Sequence, residues 1–258
     1  MNVLVIMTVI LFLLMTLIGG GKGARSFFAL FFNFAVFIMI VFLMNDPNAN
    51  PIILTLVASI IICFINLFYI NDINSKTKTA FVSSIITIVI LLLFIVIITE
   101  KAKIQGFGEE EIEELSMFSL YIGVDFVKIA TSVIIVSTIG AITDTAMAIS
   151  SPMREIYYHN PHLDRKALFA SGLGIGKDIL GTSTNTLFFA FFGSYLALLI
   201  WFKDLSYTLG DIVNSKIFSA EMITILCAGI GVTLVIPITS WITAYFLVKN
   251  KANSDIHE

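Results

Sequence analysis

The sequence predicts an all-α integral membrane protein with about seven transmembrane helices. Of its 258 residues, 58% are hydrophobic and 13% are charged, whereas a soluble domain carries roughly 25% charged residues. The apolar residues are also grouped into long runs separated by short polar connections. We therefore expect residues 1–258 to form a single polytopic membrane domain with no soluble domain.

The apolar runs define the expected spans. A helix of about 20 apolar residues crosses the hydrocarbon core of a bilayer, which is ~30 Å thick. Segments near that length cover residues 2–18, 26–44, 51–70, 80–99 and 221–248. Two further segments, residues 118–150 and 166–202, are too long for one crossing.

The distribution of basic residues predicts the orientation. Cytoplasmic connections of membrane proteins are enriched in Lys and Arg. With the N-terminus outside, nine cations lie in cytoplasmic connections: Lys22, Arg25, Lys76, Lys78, Arg154, Arg165, Lys166, Lys249 and Lys251. Four lie outside: Lys101, Lys103, Lys203 and Lys216. We therefore expect the N-terminus to lie outside the cell and the C-terminus to lie in the cytoplasm.

The two overlong segments are predicted to be broken helices. As one straight helix, residues 118–150 would measure about 50 Å at 1.5 Å per residue. We expect this segment to break or weaken near Gly140. In residues 166–202 the expected helix break involves Gly172, Gly174 and Gly176, because each glycine weakens a helix by about 1 kcal/mol relative to alanine.

Polar and ionisable side chains in these two segments mark a candidate binding site. Asp144 ends a stripe of small and polar residues on one helix face, and Asp178, Thr182 and Asn185 share another face at i, i+4 and i+7. Lys177 precedes Asp178. A charged side chain at the bilayer centre costs about 2.5–3.5 kcal/mol on insertion scales and is a functional candidate by default. These five residues form the hypothetical site for an ion or a small polar solute.

Other interpretations of the same residues remain open. Lys177 and Asp178 also suit a structural ion pair, and Asp144 suits a position at the cytoplasmic interface. An intramembrane hydrolase built on Asp144 and Asp178 is a remote alternative. A phosphate-binding P-loop is excluded, since Asp178 stands where that motif requires Ser or Thr. We expect no catalytic residue, no metal site, no cofactor and no nucleic-acid partner.

Three stretches resemble the YibE/F-like family of bacterial multi-pass membrane proteins. They are the Gly-Ala-Ile-Thr-Asp-Thr-Ala-Met-Ala-Ile run of residues 140–149, the Ser-Gly-Leu-Gly-Ile-Gly-Lys-Asp-Ile-Leu-Gly-Thr-Ser-Thr-Asn-Thr-Leu run of residues 171–187, and residues 214–239. The resemblance covers the chain from about Tyr121 onward. Where the family has Asn and Arg in the middle motif, this chain has Gly174 and Lys177.

The resemblance implies a partner and a location but no particular activity. Longer members of the family carry an extracytoplasmic domain after the first span, and the sequence shows none there. The chain is therefore similar to the short, YibF-like form, which implies a YibE-like membrane partner or a homo-oligomer in a bacterial cell membrane, surrounded by membrane lipids.

Two functional hypotheses follow. The first is a membrane transport component, a permease or channel-like protein, in which Asp178 is the ligand or proton carrier and Lys177 is its charge partner or an anion contact. The second is a non-transporting scaffold or regulatory subunit of a cell-envelope complex, in which the polar residues make helix–helix contacts. A water-filled cavity favours the first, and dry packing favours the second.

Overall fold

The protein is a bundle of long helices. The structure, a computed structural model, describes residues 2–46, 48–104, 106, 125–204 and 206–254, with side chains described to residue 249. The helices are α1 (Val3–Met44), α2 (Pro51–Phe64, continued by a π-helical turn, Ile65–Tyr69), α3 (Ser75–Ala102), α4 (Phe126–His159), α5 (Arg165–Asp204), α6 (Leu209–Asn214) and α7 (Lys216–Ser254). All except the short α6 belong to the six helical segments that are long and apolar enough to cross a membrane. The predicted fold class is therefore confirmed.

Helix α1 contains two of the predicted spans because it turns back on itself at Gly20. This glycine has φ +57° and ψ −140°, a conformation that residues with a Cβ rarely adopt. The rings of Phe12 and Phe27 lie 4.9 Å apart, although fifteen residues of straight helix would separate them by about 22 Å. Gly23 packs directly on the Met15 carbonyl of the first arm. When the two arms of α1 are counted as separate spans, the six membrane-length helices provide seven spans, which is the expected number.

The hairpin turn of α1 is tied to the connection between α2 and α3. Arg25 Nη1 donates a 2.6 Å hydrogen bond to Asp72 Oδ1. This hydrogen bond from Arg25 lowers the pKa of the Asp72 carboxyl below its ordinary value, so the pair remains charged at neutral pH. Farther along the same helices, Asn33 Nδ2 donates to Asn66 Oδ1 of the π-helical turn at 2.7 Å. These contacts place the α1 turn and the α2–α3 connection at the same end of the bundle, as the alternating topology requires.

The centre of the bundle is formed by α3, α4 and α7, which pack through small and hydroxyl-bearing residues. Thr99 of α3 and Thr131 of α4 share a 2.8 Å hydrogen bond. The glycine at 231 in α7 admits Ile142 of α4 and Leu91 of α3, whose side-chain atoms lie 3.0–3.1 Å from where its Cβ would be. Small residues at helix crossings are typical of membrane bundles, since they let the backbones approach closely.

The predicted helix breaks near Gly140 and Gly174 are wrong. Both α4 and α5 are continuous through these positions. In α5, Gly172 and Gly176 are instead the contact points with neighbouring helices: a Cβ on Gly172 would meet Ser240 Oγ at 2.7 Å, and one on Gly176 would collide with Ile236 of α7. The close packing on α7 offsets the helix-weakening effect of these glycines, and so the helix stays intact.

The excess length of α4 and α5 is accommodated by protrusion at the end that carries the α2–α3 connection. Lys76, at the start of α3, donates a 3.2 Å hydrogen bond to Ser151, yet α4 continues to His159 through Pro152. That extension, eight residues long, adds about 12 Å. At the other end α4 begins at Phe126, where Lys128 and Asp125 form an ion pair at 3.3 Å; residues 118–124 of the predicted span lie outside the described residues.

We predict that Gly176→Ala lowers the thermal stability of the detergent-solubilised protein. The added methyl would overlap Ile236, whose Cβ and Cγ1 lie 3.2 Å from its position. Overpacking of this kind costs about 1–3 kcal/mol. The matched control is Gly193→Ala in the same helix, where the Cβ meets nothing within 4 Å; it should be neutral or stabilise by up to about 1 kcal/mol. Equal melting temperatures for the two variants would contradict the packing role of Gly176.

Candidate functional site

A groove between α4 and α5 contains part of the predicted site. It has a volume of about 490 Å³ and is lined on the α4 side by Gly140, Ala141, Asp144, Thr145 and Ala148. The α5 side contributes Ile179, Thr182, Ser183, Thr186 and Leu187. Asp144 lies seven residues, or about 10 Å, inside the level at which Ser151 contacts α3. Asp144 and Thr182 are therefore brought together in one groove inside a membrane-length segment.

The remaining predicted site residues lie elsewhere on α5. Lys177, Asp178 and Asn185 are exposed and do not line the groove. Their position follows from the packing of α5, because Gly172 and Gly176 face α7 and thereby fix the rotation of the helix. Helix α5 therefore has a groove face with Thr182 and a separate outward face with Lys177, Asp178 and Asn185.

The polar groups of the predicted site are largely without protein partners. Among the described residues, Asp144, Lys177, Asp178 and Asn185 make no side-chain hydrogen bond or ion pair, and the ion pairs present are Arg25–Asp72 and Lys128–Asp125. Thr182 Oγ1 donates back to its own helix, to the Ile179 carbonyl at 2.9 Å. The Lys177–Asp178 structural ion pair is thus not formed in the described part of the chain.

Two further cavities lie beyond the groove along α4. The first, about 220 Å³, shares Leu187 with the groove and is lined by hydroxyls of Ser137, Ser194, Tyr195 and Thr224 and by the carboxylate-bearing Glu221. The second, about 250 Å³, shares Glu221 and Thr224 with the first and reaches Ile104, Gly106 and Phe126 near the opposite end of α4. The three cavities together follow α4 from Ala148 to Phe126.

Glu221 is the residue that sequence reasoning missed. It is half-buried in α7, and Tyr195 Oη donates a 2.8 Å hydrogen bond to its Oε1. Glu221 is the first residue of the last predicted span, residues 221–248, and a charge at the end of a span costs little. The structure starts α7 earlier, at Lys216, and so puts Glu221 inside the helix. The available signal was that Glu221 is the one charged residue between residues 217 and 248.

The chemistry of the three cavities suits a cation. Among the described residues that line them, the carboxylates are Asp144 and Glu221, accompanied by Ser, Thr and Tyr residues, and none is Lys or Arg. Oxygen atoms from carboxylates and hydroxyls are the ligands that hard cations take. The described residues contain no group of three or more His, Cys, Asp or Glu arranged to hold a metal ion.

Comparison with known proteins identifies a family and nothing more specific. The model of the YibE/F-like protein family matches residues 7–249. This match includes the N-terminal half, where the sequence motifs alone carried no resemblance. No curated protein matches the chain, and no solved structure matches it.

We predict that the groove is accessible to water. In a background with Cys63→Ser and Cys227→Ser, Ser183→Cys should react with a membrane-impermeant, water-soluble thiol reagent, because only a hydrated thiol ionises to the reactive thiolate. The matched control is Phe189→Cys, two turns along α5 on its exposed surface, which should stay unreactive in lipid. Equal protection of both thiols would show a dry groove.

Proposed function

Because the chain belongs to the YibE/F-like family and has three neighbouring cavities along α4, we propose that this multi-pass membrane protein is a component of a membrane transport system. The proposed path is the groove between α4 and α5 together with the two cavities that continue it. The proposed cargo is a small inorganic cation, with Asp144 and Glu221 as its principal contacts.

The observation that carries this proposal is the placement of two carboxylates along one run of cavities. Ser137 lines the cavity that contains Glu221, and it lies seven residues before Asp144, about 10 Å away along α4. Thr182, Ser183 and Thr186 line the groove together with apolar residues, including Leu187, which the groove shares with the cavity that contains Glu221. A path with separate ion-binding sites of moderate polarity suits conduction, because a transported ion must bind well enough to enter and weakly enough to leave.

The charge of the path selects between classes of solute. The described residues that line the three cavities include two carboxylates and no cationic side chain, and such a lining repels anions and stabilises cations. Lys177, the basic residue of the predicted site, lies outside the groove, so its proposed role as an anion contact has less support. The hydrolase alternative is weakened in the same way, since Asp178 does not line the groove that contains Asp144.

A second candidate function is a scaffold or regulatory subunit, and one observation favours it. Lys177, Asp178 and Asn185 face outward from the bundle with no partner among the described residues. Such a surface suits contact with a YibE-like membrane partner or with a second copy. The two functions are compatible on one chain, because the groove and the outward face lie on different sides of α5.

The transport proposal is tested by cation flux into vesicles that contain the purified protein. Uptake of Na⁺, K⁺ and H⁺ would be followed with ion-sensitive dyes under an imposed gradient. Asp144→Asn and Glu221→Gln should each lower the flux of the transported ion by about tenfold or more, because each removes a charge worth at least about 1.4 kcal/mol to the bound cation. The control is Glu155→Gln, an exposed acid near the end of α4 and outside the three cavities.

The same assay separates the alternatives. If Asp178→Asn abolishes flux while Asp144→Asn leaves it unchanged, the site lies on the outward face and the groove assignment is wrong. If the wild-type protein moves none of the three ions, alone or with a co-reconstituted partner, the transport proposal fails and the scaffold function replaces it.

A further inference from the structure

The outward face of α5 contains charged residues and glycines that contact no polar partner or neighbouring helix among the described residues. Lys177 and Asp178 are exposed and make no ion pair or side-chain hydrogen bond among the described residues. They lie about 8 Å farther along α5 than Gly172, whose neighbour Met153 is close to the level at which Ser151 contacts α3, and they belong to a membrane-length segment. Lipid is a poor solvent for such groups, so this face calls for a polar partner.

Four of the five glycines of α5, all except Gly193, fall into two pairs with different surroundings. Gly172 and Gly176 are buried against neighbouring helices. At Gly174 and Gly181, an added Cβ would meet nothing within 4 Å. Each glycine weakens a helix by about 1 kcal/mol relative to alanine, and the packing of this chain gives no reason to keep the second pair. Glycines on an exposed transmembrane face let another helix approach closely.

The second glycine pair and the charges share one surface. At 100° per residue, Lys177 and Asp178 lie about 50° to either side of a line along α5. Ala170, Gly174, Gly181 and Asn185 all fall within about 30° of that line. We call these six residues the α5 face. It has small residues and an amide at its centre, with a cation on one flank and an anion on the other.

From this arrangement we infer that the α5 face binds the same face of a second copy of the chain, related by a two-fold axis along the bilayer normal. Such an axis makes the two α5 helices parallel and puts equal residues at equal depth. A residue on one flank of the contact line then meets the opposite flank of the other helix. Lys177 of each copy therefore meets Asp178 of the other, giving two ion pairs from one self-complementary surface.

Charge complementarity selects a second copy as the occupant. A lipid acyl chain offers no partner for either charge. A second copy in two-fold symmetry offers an Asp178 to each Lys177 and a Lys177 to each Asp178, so all four charges are paired. The groove is left open, because its α5 residues point away from this contact. The inference does not depend on the proposed transport function, since association is measured without flux.

The test is the oligomeric state of the full chain in lipid vesicles at low protein density, measured by counting fluorophore bleaching steps per particle. Lys177→Asp and Asp178→Lys should each weaken the dimer by about tenfold or more, because each places four like charges at the contact. The double variant with both substitutions restores the reciprocal pairs and should recover the wild-type dimer fraction. All three should fold normally, because these side chains are exposed and make no hydrogen bond or ion pair among the described residues.

A glycine substitution provides the second arm. Gly181→Leu should disrupt the dimer by separating the helices, whereas Gly193→Leu should not, because position 193 is exposed on the same helix but lies about 120° around it. A monomeric wild type would overturn the inference and favour a different membrane protein as partner. A double charge variant as weakly associated as the single variants would also overturn it.

Discussion

The contact of α5 with α7 at Gly172 and Gly176 determines how the polar residues of this protein are arranged. With no side chain at these positions, α5 lies directly against Ile236 and Ser240, where any added Cβ would clash. This contact turns Thr182 and Ser183 toward α4, where they face Asp144 across a groove. It also turns Lys177 and Asp178 outward. One crossing of two helices thus separates a path-lining face from an association face.

The sequence was informative where its residues act through composition and helical periodicity. Apolar run lengths gave the membrane spans, and spacing along a helix placed Asp144 and Thr182 among the site residues. Predictions from the sequence were wrong where the local structure depends on tertiary contacts. Gly174 weakens the isolated helix in the same way wherever it lies, so sequence alone could not show that packing keeps α5 continuous. Likewise, nothing local distinguishes Gly20, where the chain turns back, from its neighbours Gly19 and Gly21.

The candidate site changed in the same way. Periodicity grouped Asp178 with Thr182, since they are one turn apart, but the edge of the groove runs between them. The apolar run begins at Glu221 and therefore predicts a span boundary there. The helix itself begins five residues earlier, at Lys216, so Glu221 lies within it. Its contact with Tyr195, 26 residues away in the sequence, depends on the tertiary arrangement of α5 and α7. The proposed site is therefore a pair of carboxylates on α4 and α7 rather than a cluster between two broken helices.

The central claim is that the cavities between Ala148 and Phe126 form a hydrated path past Asp144 and Glu221. A high-resolution cryo-electron microscopy map of the protein in lipid nanodiscs tests it most directly, through the density in those cavities. The account predicts ordered water in contact with both carboxylates, with the groove open between them. Acyl-chain density filling the groove, or side chains closing it between Asp144 and Glu221, would contradict the account.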